Sequence, residues 1–116
     1  MIVLQSRPVT ITTVDGLTAI LDERHWEAHI AFRHPELKDW QARVIETLQR
    51  PLAVFRSRRD AGTRIYVKDY TRREIPDLAS EQLTLLVYVR QDSGFVVTAH
   101  LTAAMLRRLG EKLWPL

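Results

Sequence analysis

His29, Arg33 and His34 gather two imidazoles and a guanidinium at the end of one helical stretch, Trp26-Glu27-Ala28-His29-Ile30-Ala31-Phe32-Arg33-His34-Pro35-Glu36. Hydrophobic residues flank them and a proline comes next. Imidazole is the side chain that most readily gives or takes a proton near neutral pH, and guanidinium matches the geometry of a phosphate. Together they suit a charged substrate that is cleaved with proton transfer. Each residue also has a structural reading. His29 can simply border the core beside Trp26, Arg33 can pair with Glu27 or Glu36, and His34 can cap a helix. Glu36 fits a first-turn carboxylate.

A metal reading starts from His25 and His29, four apart on a helix. The zinc-protease pattern needs Glu directly after the first His, where this chain has Trp26, and Glu27 falls on another helix face. No metal and no cofactor is therefore expected. The chain has no cysteine, which excludes disulfides and thiolate sites.

Pattern along the chain predicts the scaffold around these residues. Residues 3–5 and 9–13 read as short strands, Asp15-Gly16 as a turn, and residues 17–21 as a returning strand. Asp22 is suited to cap a first helix running to Arg33, with Trp26, Ile30 and Leu37 at helical spacing. Pro35 ends that helix and suits the first position of a second, whose apolar face is Leu37, Trp40, Val44, Ile45 and Leu48. Pro51 stops it. Residues 52–56 and 64–70 alternate as strands, residues 83–90 read as a strand rich in Leu, Val and Tyr, and residues 95–101 run back against it through a hairpin at Asp92-Ser93-Gly94. A final helix is expected from Thr102 through Met105, Leu106, Leu109 and Leu113. The fold class is thus α+β: two N-terminal helices packed on a roughly four-stranded antiparallel sheet, with a short N-terminal β segment and a C-terminal helix.

Residues 1–116 are expected to form one domain. Apolar residues make up 46% and charged residues 27% of the chain, ordinary for a globular protein. No apolar run approaches membrane-spanning length. The opening Met1-Ile2-Val3-Leu4-Gln5-Ser6-Arg7-Pro8 is interrupted too soon for a signal peptide, so a cytoplasmic location is the default expectation. Charge is uneven: residues 50–73 carry eight basic and two acidic side chains, a balance of +6, against −2 before and −1 after. Tyr66 and Tyr70 lie within that block. Cations with interleaved aromatic rings suit a single-stranded nucleic acid, and a solvated hairpin is the plainer alternative.

In the last strand of the hairpin, Val96, Thr98, His100 and Thr102 alternate with Phe95, Val97, Ala99 and Leu101. The second set is wholly apolar and should meet the helices, leaving Thr98 and His100 outward. Thr98 also suits a strand on propensity alone, and an outward His100 can be merely solvated. Thr98, His100, Tyr66, Lys68 and Arg56 are expected to line a cationic groove, with His29 and Arg33 at its end.

The block Trp26…His29-Ile30…Arg33-His34-Pro35-Glu36, then Pro51, Arg64-Ile65-Tyr66-Val67-Lys68, Leu85-Leu86-Val87-Tyr88-Val89 and Gly94-Phe95-Val96-Val97-Thr98-Ala99 resembles the phage-associated branch of the barnase–EndoU–colicin–RelE-like nuclease superfamily over residues 16–114. Members usually carry Tyr after the Thr-Ala pair, where this chain has His100. The resemblance implies a barnase/RelE-like, metal-independent endoribonuclease that cleaves RNA by 2′-hydroxyl transphosphorylation, a toxin or defence effector with an inhibitory, antitoxin-like protein partner. For that chemistry the residues assign His29 as proton carrier, Arg33 as phosphate clamp and Thr98 as a phosphate or hydroxyl hydrogen-bond partner, with His100, where the chain departs from the family, as second proton carrier and Arg56, Tyr66, Lys68 and His34 binding the strand. A catalytically inactive RNA- or protein-binding module on the same fold is the alternative. Oligomeric state is not fixed by the sequence.

Overall fold

The computed structural model describes residues 8–104 and 107–116. The strand expected at residues 3–5, and Met105 and Leu106 of the expected last helix, lie outside the described residues. An antiparallel hairpin opens the chain, β1 (Val9–Thr12) with β2 (Thr18–Leu21). Its turn holds Gly16 at φ 85°, a left-handed conformation that glycine adopts without a Cβ penalty. Asp22 then caps the first helical segment, accepting a hydrogen bond from the His25 amide at 2.9 Å.

That segment, α1, is a composite of Glu23–His25, a π turn at Trp26–Ile30 and Ala31–Arg33. The wide turn lets Trp26 and Ile30 both reach the core, at 2% and 1% exposure. Single π turns are uncommon and tend to mark functional positions. His34 leaves helical geometry at φ −129°, ψ 71°, because the residue before a proline is pushed away from the α region.

The expected architecture is corrected at three points. In place of two regular N-terminal helices there is this broken segment, then a separate 3-10 turn at Pro35–Leu37, and only then a nine-residue helix, α2 (Gln41–Gln49). The break between them lets Leu37 bury while Trp40 sets its ring edge-on to Tyr70. The main sheet has five strands, not four: β3 (Ala53–Ser57), β4 (Thr63–Thr71), β5 (Gln82–Arg90), β6 (Val96–Thr102) and β7 (Leu109–Trp114), in the order β6-β5-β4-β3-β7. The expected C-terminal helix is instead that edge strand β7, paired antiparallel with β3. Leu109 and Leu113 suit a helix by spacing, but Gly110 is a poor helix former. It also sits where a Cβ would come within 2.8 Å of the Arg56 carbonyl. Pairing covers an otherwise open β3 edge.

One face of the sheet carries the main core: Val54, Tyr66, Tyr70, Leu85 and Val87 pack with Trp26 and Ile30 of α1 and Val44 and Leu48 of α2. The opposite face carries a smaller cluster of Ala53, Ile65, Val67 and Leu86, with Phe55, Tyr88 and Leu109 packed against it. Among the described residues, no helix is long and apolar enough to cross a membrane.

Candidate functional site

Successive turns of α1 send His25, His29 and Arg33 to one side of the buried Trp26 and Ile30. This stripe lies along the free edge of β6, and His34 completes it. The His25 and His29 rings stack, 4.7 Å apart and 29° from parallel, and His25 also meets Phe95 at 4.8 Å. His25 Nε2 lies 2.7 Å from the Val97 carbonyl oxygen. A carbonyl only accepts, so Nε2 carries the proton and donates.

Val97 is available for this because β6 is bulged. Val89 pairs with Val96 while Tyr88 pairs with Thr98, leaving Val97 as the extra residue. A bulge bends the strand and re-aims the side chains beyond it. Val96 turns into the core at 0% exposure and Val97 faces out at 37%, the reverse of the simple alternation expected from sequence. Past the bulge Ala99 is buried, while Thr98 and His100 turn to the other sheet face.

There they join a cleft of about 610 Å³. His25, His29, Arg33 and His34 form one wall. Thr98, His100 and Tyr88 form the floor, and Ser57, Thr63, Arg59, Asp60 and Arg90 close the far end, with Arg108 beside them. The Tyr88 hydroxyl lies 3.0 Å from His100 Nε2, and the His34 and His100 rings are 5.8 Å apart. His34 Nδ1 is 3.6 Å from a Glu36 oxygen. Among the lining residues, Arg33, Arg59, Arg90 and Arg108 face one carboxylate, Asp60. Asp60 is held below the usual carboxylate range by hydrogen bonds from the Gly62 amide and the Thr63 hydroxyl, with Arg90 at 3.9 Å adding to the effect. His100 is pushed below its ordinary value, first by burial, then by the charges of His34 and Arg108. Both effects favour the neutral imidazole. Among the described residues, no three His, Asp or Glu side chains cluster as metal ligands.

Of the residues picked out in the sequence, His29, Arg33, His34, Thr98 and His100 meet in this cleft. Arg56, Tyr66 and Lys68 do not. Tyr66 pairs with Val87, and Val87 with Ala99, so Tyr66 shares the helix-covered face with Ala99. Its ring is fully buried, and its hydroxyl donates to Asp15 at 2.6 Å. Burial first, and that bond next, push the phenol far above its usual range. Burial raises Asp15, but hydrogen bonds from Thr13, Tyr66 and Arg64 outweigh it and hold the carboxyl low. Lys68, on the same face, donates to the Arg50 carbonyl at 2.8 Å. Arg56 pairs with Glu111 at 3.6 Å. The basic block thus scatters into separate contacts, and only Arg59 of it reaches the cleft.

Sequence reasoning missed His25 except as a metal ligand, and missed Tyr88, Arg90, Asp60 and Arg108. The alternation of β5 does place Tyr88 and Arg90 on one face. The identity of that face with the one carrying His100 needs the register. No protein-family model matches the chain, and searches of curated proteins and of solved structures returned no match.

Proposed function

We propose that this protein is a metal-independent endoribonuclease that cleaves RNA by transphosphorylation. One observation carries the reading: His29 and Arg33 of α1 and the following His34 share a cleft with Thr98 and His100 of β6, and Arg59, Arg90 and Arg108 line it too. The substrate supplies its own nucleophile, so the protein needs only proton carriers and cations.

Neutral His100 takes the proton from a ribose 2′-hydroxyl. The 2′-oxygen bonds to the adjacent phosphorus and the bond from phosphorus to the 5′-oxygen breaks. The departing oxygen keeps the electron pair and takes a proton from His29. The products are a 2′,3′-cyclic phosphate and a free 5′-hydroxyl. Tyr88, hydrogen-bonded to His100, orients its ring. Arg33 and Thr98 hold the non-bridging oxygens as charge builds on them. Each proton transfer contributes roughly 10²–10⁴-fold and positioned charge a similar factor. On this reading the protein acts on RNA in the cytoplasm as a toxin or defence effector, and an inhibitory protein covering the cleft restrains it.

The test is mixed RNA incubated with the protein in EDTA. Fragments ending in cyclic phosphate are expected, with His29→Ala at least about 100-fold slower and its circular dichroism unchanged. RNA bound but left uncut by the native protein would replace this reading with the inactive binding module.

A further inference from the structure

Phe32 stands out on α1. The other large apolar side chains of the segment, Trp26 and Ile30, are buried, whereas Phe32 is 79% exposed. It sits between two depressions. On one side Arg33, next in sequence, and His29, one turn earlier, line the cationic cleft. On the other side Phe32, Ala31 and Pro35 wall a hollow of about 430 Å³, rimmed by Glu27, Asp39 and Lys38. The end of α1 is therefore a ridge with cations on one flank and a flat ring on the other.

We infer that Phe32 is the stacking platform for an unpaired nucleobase next to the phosphate held in the cleft, so that the substrate is single-stranded RNA. This rests on the endoribonuclease reading of the cleft. A nucleic-acid strand alternates charged phosphates with flat, largely uncharged bases. A strand crossing the ridge sets a phosphate against Arg33 and the neighbouring base on the Phe32 ring. The hollow suits a base and not a second phosphate. Its rim carries the Glu27 and Asp39 carboxylates against the single cation of Lys38; carboxylates repel phosphate but accept hydrogen bonds from the N–H groups on a base edge. A duplex cannot use the ridge, because its bases already stack on one another and offer no free face.

The test is fluorescence anisotropy with a labelled single-stranded 2′-O-methyl oligonucleotide, which binds but has no nucleophile. Phe32→Ala should weaken binding by roughly 5- to 150-fold. Phe32→Trp should keep it, Phe32→Leu should behave like the alanine variant, and a blunt RNA duplex should bind all four proteins alike. If Phe32→Ala and Phe32→Leu bind the single strand as the native protein does, while the native protein cuts RNA, this inference falls and the reading of the cleft stands. If the native protein neither binds nor cuts RNA, both fall. Unchanged affinity with an altered oligomeric state on gel filtration would assign the ring to a protein contact and overturn the proposal.

Discussion

His100 joins the chemistry of the cleft to the stability of the fold. Burial, His34 and Arg108 lower its proton affinity, and only the Leu101 backbone and Glu36 pull the other way. A histidine whose folded value lies below its ordinary 6.5 contributes its full stability above that value and loses it as pH falls through the lower folded value. We expect the urea midpoint of the native protein to drop between pH 7.5 and pH 5, and His100→Gln to flatten that drop while abolishing RNA cleavage. The same shift carries the acidic limb of kcat/KM below the ordinary histidine range, read from rates at saturating and limiting RNA. An acidic limb at or above pH 6.5 would remove His100 from the role of base.

Among the elements, two irregularities align the site. The π turn seats Trp26 and Ile30 in the core while His25 and His29 stack over the β6 edge. The bulge at Val97 re-aims β6, and the Val97 carbonyl accepts the hydrogen bond from His25 Nε2. Both depend on how the N-terminal hairpin docks. Gly94 makes that joint: its carbonyl accepts from the Ile20 amide at 2.7 Å, its φ is 76°, and a Cβ there would lie 1.9 Å from the Thr18 carbonyl oxygen. No side chain fits without moving backbone. Gly94→Ala should cost about 2–4 kcal/mol, measured by urea denaturation. It should also slow cleavage, although Gly94 touches no substrate. Native stability in that variant would mean the hairpin docks independently of the cleft.

Across the molecule as a unit, the sheet separates two chemistries. Its helix-covered face holds the closed network of Asp15, Tyr66, Arg64 and Thr13, with Lys68 tied to the Arg50 carbonyl. Its other face presents Tyr88, Arg90, Thr98 and His100 to the cleft, whose further arginines come from α1 and from the loops before β4 and β7. Binding of a single strand releases counterions in proportion to the phosphates neutralised, with a slope of roughly −0.7 per phosphate. We expect Arg59→Gln to make the plot of log affinity against log salt shallower by about that amount. Lys68→Gln, changed on the far face, should leave the slope unaltered. Equal effects of the two substitutions would mean that RNA does not use the cleft.

Local facts were legible in the chain alone. The period-two pattern of β4, the strand-forming composition of β5 and β6, the Asp22 cap and the crowding of imidazole and guanidinium before Pro35 are all properties of neighbouring residues. The period divides Tyr66 and Lys68 from Ile65 and Val67, but both sets can be buried, so the pattern does not say which one the helices cover. Tyr66 goes inward because its buried hydroxyl finds Asp15, far away in sequence. The local pattern of residues 102–113 likewise favoured a helix over β7, since the strand gains only from pairing with β3, some fifty residues earlier. Long-range packing was needed to settle that Thr98 and His100 face His29 and Arg33 and not Tyr66 and Lys68. That outcome depends on strand order, register and a one-residue bulge, which backbone hydrogen bonds between distant segments set collectively.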